Sequence, residues 1–372
     1  EEGIVNMMRL EYLPPREMLR ALVTAVGSLR RAGVAEPARH VIMLTGNGDN
    51  FTAMLVKKTP FTREQEEKLR AWAACTGTFY VSAAPGAGQE RKSLYQLFLG
   101  AGDPGREAEF VRVYPFDVSP ATDDRPFFFN YSYWSHLLST SPRGWPLMQV
   151  TVLLLTALVG IAAVVCVYLP LRSMAGADRP AAPWRATLYF ALIAVGYMAI
   201  EIALLQKFGV FLGHPNYALS VVLAALLLST GIGALASGAI VRGPGRLRFV
   251  SYTLAFLLLL AHLVVFPRLM DWVALPFAVR ASIVFALVVP VGVLLGVFMP
   301  WGLDRLKETS PALAPWAWGI NGIFSVLAPV LSVAFAMAWG SGALMLTAVP
   351  AYLLASAALD RADAPPPTPA AP

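Results

Sequence analysis

Charge is what this chain has least of. Lys, Arg, Asp and Glu make up 14% of its 372 residues, against roughly 25% in a soluble domain, which excludes an ordinary cytosolic enzyme. Cysteine is nearly absent: Cys75 and Cys166 are the two, one in each half, so neither a disulfide framework nor a cysteine-built metal cluster is expected. His40 begins an apolar strand and His262 lies in an apolar run, neither with a second ligand at a metal spacing, so no metal site is expected. The chain opens on Glu1-Glu2-Gly3-Ile4-Val5 rather than on a basic and apolar leader. No signal peptide is visible, and the expectation is that the natural N-terminus lies upstream.

What is present is apolar and unevenly placed. Hydrophobic residues are 57% of the chain and the mean hydropathy is +0.59. Before Trp145 lie 17 of the 29 Lys/Arg and 16 of the 23 Asp/Glu, leaving 12 and 7 for the other 227 residues. The first part therefore reads as water-soluble and the second as membrane. The net charge of +6 comes mainly from loops flanking apolar segments, and no nucleic-acid patch is read in it. Seven segments, near 147–169, 186–206, 218–241, 249–267, 281–302, 316–337 and 340–359, are long enough for a bilayer core that takes ~20 helical residues to cross. Trp339-Gly340-Ser341-Gly342 alone divides the last two. Residues 360–372 form a Pro/Ala tail without core-forming side chains, expected to be disordered.

In the soluble part, Ile4, Val5, Met7 and Met8 read as a strand. Leu19, Leu22, Val23, Val26 and Leu29 follow at helical spacing, and His40 to Leu44 is a second apolar run, a β-α-β order. Gly46-Asn47-Gly48-Asp49-Asn50 then predicts an antiparallel hairpin with Phe51 to Val56. Thr62 with Gln65 is a capping box for a helix reaching Cys75. A short strand is expected at Thr78 to Val81 and two helical turns at Ser93 to Leu99.

Several stretches resemble the bacterial membrane-integrated spermidine synthase-like proteins, which join a class I S-adenosylmethionine-dependent transferase fold to a multi-spanning segment. They are Tyr12-Leu13-Pro14-Pro15-Arg16-Glu17, Pro115-Phe116-Asp117, Thr122-Asp123-Asp124-Arg125-Pro126-Phe127, Glu201 to Tyr217 and Pro315 to Gly322. The resemblance implies an α/β C-terminal half of a Rossmann-like domain over residues 1–130. An aromatic interfacial linker at 131–146 and an all-α polytopic bundle of about seven helices at 147–359 would follow it. It further implies that the catalytic half lies upstream, since no G-x-G-x-x-G occurs here. This chain alone is then expected to be inactive and to bind no cofactor. The whole protein is expected to use S-adenosylmethionine or its decarboxylated form and to transfer a group to a small amine. The implied location is multi-pass in the bacterial inner membrane, with the lipid bilayer and the upstream half as partners.

Within that frame some residues carry candidate chemistry. Arg16 and Glu17 follow a Pro-Pro turn at the C-terminal end of a strand read as parallel, the edge where ligands of open α/β sheets bind; equally, Glu17 favours a helix N-terminus through the dipole. In the cluster of Asp123, Asp124 and Arg125 the carboxylates suit a cationic amine, or the cluster is a capped turn leading to an aromatic belt. In the spans Glu201 is isolated among apolar residues, where a carboxylate costs at least ~2.5 kcal/mol. With Asn321, and with His214 and Asn216 in a tight turn, it forms a candidate intramembrane polar site. A Glu201–Asn321 contact is expected, whereas Lys207, six residues on, lies ~120° away around the helix. Ser229, Gly233 and Ser237, and likewise Gly292 and Gly296, recur every four residues and read as packing seams.

Sidedness is in conflict. Far-side loops hold nine Lys/Arg (Arg172, Arg179, Arg185, Arg242, Arg246, Arg248, Arg305, Lys307 and Arg361), and near-side loops three, Lys207, Arg268 and Arg280. The positive-inside rule places the far side in the cytoplasm, whereas a cytosolic methyl or aminopropyl donor requires the soluble part there. The competing functional class is a polytopic transporter or binding protein with a regulatory or degenerate transferase-like domain. It would use Glu201, Asn321 and the helix interruptions at Pro290, Pro300 and Pro329.

Overall fold

A computed structural model describes residues 3–48, 51–86, 93–138, 146–170, 183–242, 245–309 and 311–360. Asp49 and Asn50 of the expected turn, the loop containing Arg172 and Arg179, and the tail after residue 360 with Arg361 lie outside them. The chain divides into two compact units, Glu1–Thr122 with Pro126–Val150, and Asp123–Arg125 with Thr151–Pro372.

The first unit is built on a four-stranded sheet of β1 (Ile4–Leu10), β2 (Val41–Gly46), β3 (Phe51–Lys57) and β4 (Phe79–Ala83) in the order β1-β3-β2-β4. The hairpin forms as its glycines predict, with Val41 opposite Val56 and Thr45 opposite Thr52, and Gly48 at φ +92°. β3 then fills the gap beside β1, pairing Ile4 with Lys57 and Leu10 with Phe51. This corrects the reading of β1 as a strand in a parallel ladder: every ladder among the described residues is antiparallel. β1 and β2 do run in one direction, but β3 separates them.

Helix α1 (Glu17–Arg31) has an acidic first turn and a basic last turn, Arg30 and Arg31, matching its dipole. It buries Met18, Leu19, Leu22, Val23 and Val26 on Val41, Met43 and Met54. The alternate residue Ile42 faces the opposite side, with Phe61 and Ala84. There α2 (Arg63–Thr76) starts with the expected capping box, Thr62 Oγ1 accepting from Gln65 N and Gln65 Oε1 from Thr62 N. α3 (Leu94–Leu99) is capped by Ser93, and α4 (Pro104–Val113), which periodicity missed, by Asp103. Phe128 and Tyr131 of the aromatic run pack against the α1 face of the sheet.

The second unit holds helix α5 (Leu147–Ala163) from Thr151 on, α6 (Pro183–Leu212), α7 (Pro215–Ile240), α8 (Arg246–Leu260), α9 (Phe277–Thr309), α10 (Ala314–Trp339) and α11 (Ser341–Asp360). α5 and α8 run on through π-helical turns at Val164–Tyr168 and Ala261–Val265. Among the described residues seven helices are long and apolar enough to cross a membrane, which makes this a multi-pass membrane protein. α6 is the central helix, packed on α7, α9, α10 and α11. Tyr189 Oη donates to the Phe298 carbonyl at 2.6 Å and Tyr352 Oη to that of Ile193 at 3.2 Å, which satisfies both buried phenols inside the bundle.

Candidate functional site

Asp123-Asp124-Arg125 straps the break between the last two spans. α10 ends and α11 begins within two residues, so one set of orphan carbonyls and one of orphan N–H groups meet at Gly340. Arg125 donates to the Met337 carbonyl at 3.0 Å, at the negative end of α10. Asp124 Oδ1 accepts from Gly342 N at 2.8 Å, Ser341 Oγ at 3.1 Å and Lys207 Nζ at 2.6 Å, at the positive end of α11. The Asp124 carbonyl takes Ser341 N at 2.8 Å. Burial alone would raise the Asp124 carboxyl, but Lys207 and these donors more than offset it, so its pKa lies below the ordinary aspartate value. Asp123 is exposed. A cap that complements both helix dipoles uses Asp124 and Arg125 fully, and these two belong to the second unit while Arg16 and Glu17 belong to the first.

Arg16 stands before α1 with its guanidinium 3.9 Å over the Phe116 ring, 5.3 Å from Tyr131 and 5.5 Å from Tyr12. Its Nε is enclosed without a hydrogen-bond partner. Glu17 lies 4.0 Å from Arg9 in the first turn of α1. Beside them Glu11, 8% exposed, accepts from the N–H groups of Tyr12 and Arg16 and from the Tyr95 hydroxyl. Burial pushes the Glu11 carboxyl up despite these donors, and pushes the Tyr95 phenol up as well. Arg20, 3% exposed, donates to the carbonyls of Phe127, Phe128 and Asn130 at 3.0, 2.7 and 2.8 Å and pairs with Asp117 at 3.3 Å. Glu11, Arg20 and Tyr95 were not singled out by sequence. Apart from the local N–H groups of Tyr12 and Arg16 on Glu11, their partners are 84 to 110 residues away, beyond any local pattern.

The four intramembrane candidates do not assemble. Asn321 Nδ2 donates to the Phe190 carbonyl at 3.3 Å, not to Glu201, which is eleven residues or ~16 Å farther along α6. His214 caps α7 through Nδ1 to Asn216 N at 3.2 Å, and both residues are exposed in the turn beyond α6. Glu201 is half-buried with no hydrogen-bond partner among the described residues, and Lys207 is taken by Asp124.

Asn321 instead lines a cleft of about 560 Å³ between α6, α7, α9, α10 and α11. Asp304 and Lys307, 3.0 Å apart, stand at its outer end, and Tyr197 lines it deeper along α6, one turn before Glu201. Gly296 and Ser325 also line it. Each lies four residues before a proline inside its helix, Pro300 and Pro329, so its carbonyl loses the usual i+4 N–H donor. The prolines were visible in the sequence, but that the residues four before two of them line one cleft was not. No protein-family model, no curated protein and no solved structure is significantly similar to this chain.

Proposed function

We propose that this chain is the membrane-integrated portion of a spermidine synthase-like transferase. Residues 1 to about 130 would complete a Rossmann-like sheet whose catalytic half is encoded upstream. The resemblance assigns the whole protein transfer of an aminopropyl or related group from decarboxylated S-adenosylmethionine, or of a methyl group from S-adenosylmethionine, to a small amine. Most of the acceleration would come from holding donor and amine in line. The observation that supports this reading is the outer edge of β1. Among the described residues it pairs on one side only, with β3, and Ile4, Val5, Met8 and Leu10 are each more than half exposed. Such an apolar edge is a liability unless another strand covers it.

The test has two arms. The reading frame upstream of Glu1 is expected to encode a strand, a Gly-rich turn and acidic residues at strand ends. Residues 1–372, purified in nanodiscs with labelled donor and a small diamine, are expected to give no turnover. A frame lacking that half-domain overturns the transferase reading, and turnover by this chain overturns the placement of the active half.

A second reading, a membrane transporter or binding protein with a degenerate transferase-like domain, is favoured by the 560 Å³ cleft between proline-interrupted spans. Uptake into proteoliposomes by the wild type, weakened in Glu201→Gln, is its expected result. Both behaving as empty vesicles would count against transport.

A further inference from the structure

We propose that the groove between α7, α8 and α9 binds one anionic phospholipid, its phosphate at Arg246 and an acyl chain along the apolar wall. This goes beyond both the transferase and the transport readings and rests only on the multi-pass architecture.

The charge is set by the sequence. From Phe208 to Met270 there is no Asp or Glu, while Arg242, Arg246 and Arg248 fall together at the turn from α7 to α8. This helical hairpin therefore carries positive charge that no acid of its own neutralises. Arg242 and Arg246 are exposed, and neither makes a hydrogen bond or ion pair among the described residues. Asp304 and Glu308, acids at the same end of the bundle, are each held at 3.0 Å by Lys307 and Arg305. An anion at Arg246 thus meets a cation that the protein leaves unpaired.

The groove supplies the rest of the ligand's shape. It has a volume of about 620 Å³, within the roughly 300–1,000 Å³ of small-molecule sites. Arg246, Phe249, Val250 and Thr253 line it, and their spacing of three, four and seven residues places them on one stripe of α8. That stripe runs ~10 Å inward from the start of the helix. Ile240, the last residue of α7, and Leu294 of α9 complete the wall. Arg246 is the one charged residue on the lining among the described residues. Thr253 spends its hydroxyl proton on the Phe249 carbonyl at 2.9 Å, so the wall inward of the arginine offers mainly hydrocarbon. Phe249 is 70% exposed, which leaves the groove open on the lipid side. α8 also starts at Gly245 without a side-chain cap, adding orphan N–H groups at the arginine's end. A cation at the interface with an apolar wall running inward matches an anionic head and an alkyl chain. Free phosphate would leave the wall unfilled, and a zwitterionic lipid would bring its own cation to the arginine.

The experiment titrates the full chain, delipidated in detergent, with phosphatidylglycerol or with phosphatidylcholine of the same acyl chains, and counts bound lipid by native mass spectrometry. The first phosphatidylglycerol is expected to bind about tenfold tighter than phosphatidylcholine. Arg246→Ala should weaken it roughly fivefold, the effect of one arginine at an anionic headgroup, and Arg246→Lys less. Arg248→Ala removes the same charge two residues on, from a position that does not line the groove, and should change the first site by less than about twofold, since Arg248 is off the site. Thr253→Trp fills the apolar end without altering charge and should also weaken binding. Should that variant fail to fold, the arginine variants still decide. Equal affinity for the two lipids overturns the proposal, and so do equal losses in Arg246→Ala and Arg248→Ala, which would mean diffuse charge attraction rather than a site. Competition by sn-glycerol 3-phosphate separates the sources of phosphate. No displacement at lipid-saturating concentrations is expected, and displacement there would make this a free-phosphate site and overturn the lipid assignment.

Discussion

Asp124 is exposed over 42% of its side chain, yet it gathers an ammonium, a hydroxyl and an N–H on one oxygen. Its lowered pKa fixes the sign of a pH effect. The unfolded chain takes up the proton first, near the ordinary aspartate value of about 3.9, so the contribution is complete above that pH and is lost as pH falls through the lower folded value. Asp124→Asn is therefore expected to reduce the melting temperature at pH 7 by ~2–4 °C, the shift for a cap worth ~1 kcal/mol, and to flatten the further loss below about pH 4 seen in the wild type. A pH series of thermal melts in detergent checks this, and parallel curves for the two proteins would refute it. In the first unit, Tyr95→Phe removes the phenol donor from a carboxylate that is 8% exposed. A destabilisation of ~1–3 kcal/mol is expected, read as faster limited proteolysis within residues 3–138.

Between elements, α7 and α9 pack through glycines at close range. A Cβ on Gly296 would overlap the Thr230 carbonyl, one on Gly233 the Val293 carbonyl, and one on Gly292 the Ser229 hydroxyl. At Gly296 and Gly233 backbone meets backbone, so no side chain can yield there. Gly296→Val is expected to cost at least the ~1–3 kcal/mol typical of overpacking. Gly238→Ala, on the same α7 with nothing within 4 Å of the added carbon, is expected to be neutral or slightly stabilising. Denaturation of the two variants side by side in detergent tests the seam, and equal stability would dismiss it. The break between α10 and α11 has the same logic. Gly340 sits at φ +92° with Asp124 where its Cβ would be, so position 340 admits glycine for both backbone and space.

For the molecule as a whole, seven crossings put the two ends of the span region on opposite faces, and nine far-side Lys/Arg against three predict a cytoplasmic C-terminal side, the opposite of what a cytosolic donor for the soluble part requires, so this orientation counts against the transferase reading. A phosphatase and a fluorescent reporter fused after Pro372 measure it: fluorescence without phosphatase activity is expected, and the opposite result would mean that upstream segments or the soluble part dominate orientation. Local sequence specified the seven spans, the α7 and α9 seams, the β2–β3 hairpin and the cap at Thr62. Each depends on residues within one helix or one turn, where periodicity, proline and positive-φ glycine act locally. Tertiary packing alone set β3 between β1 and β2, Lys207 on Asp124, Asn321 against Phe190, and Gly296 and Ser325 on one cleft. A strand's neighbour and a buried polar group's partner are chosen by which surfaces the whole chain brings together, across 83 residues for Lys207 and Asp124 and 131 for Asn321 and Phe190. No local pattern holds that choice, because many partners satisfy the same donor equally well until packing excludes all but one.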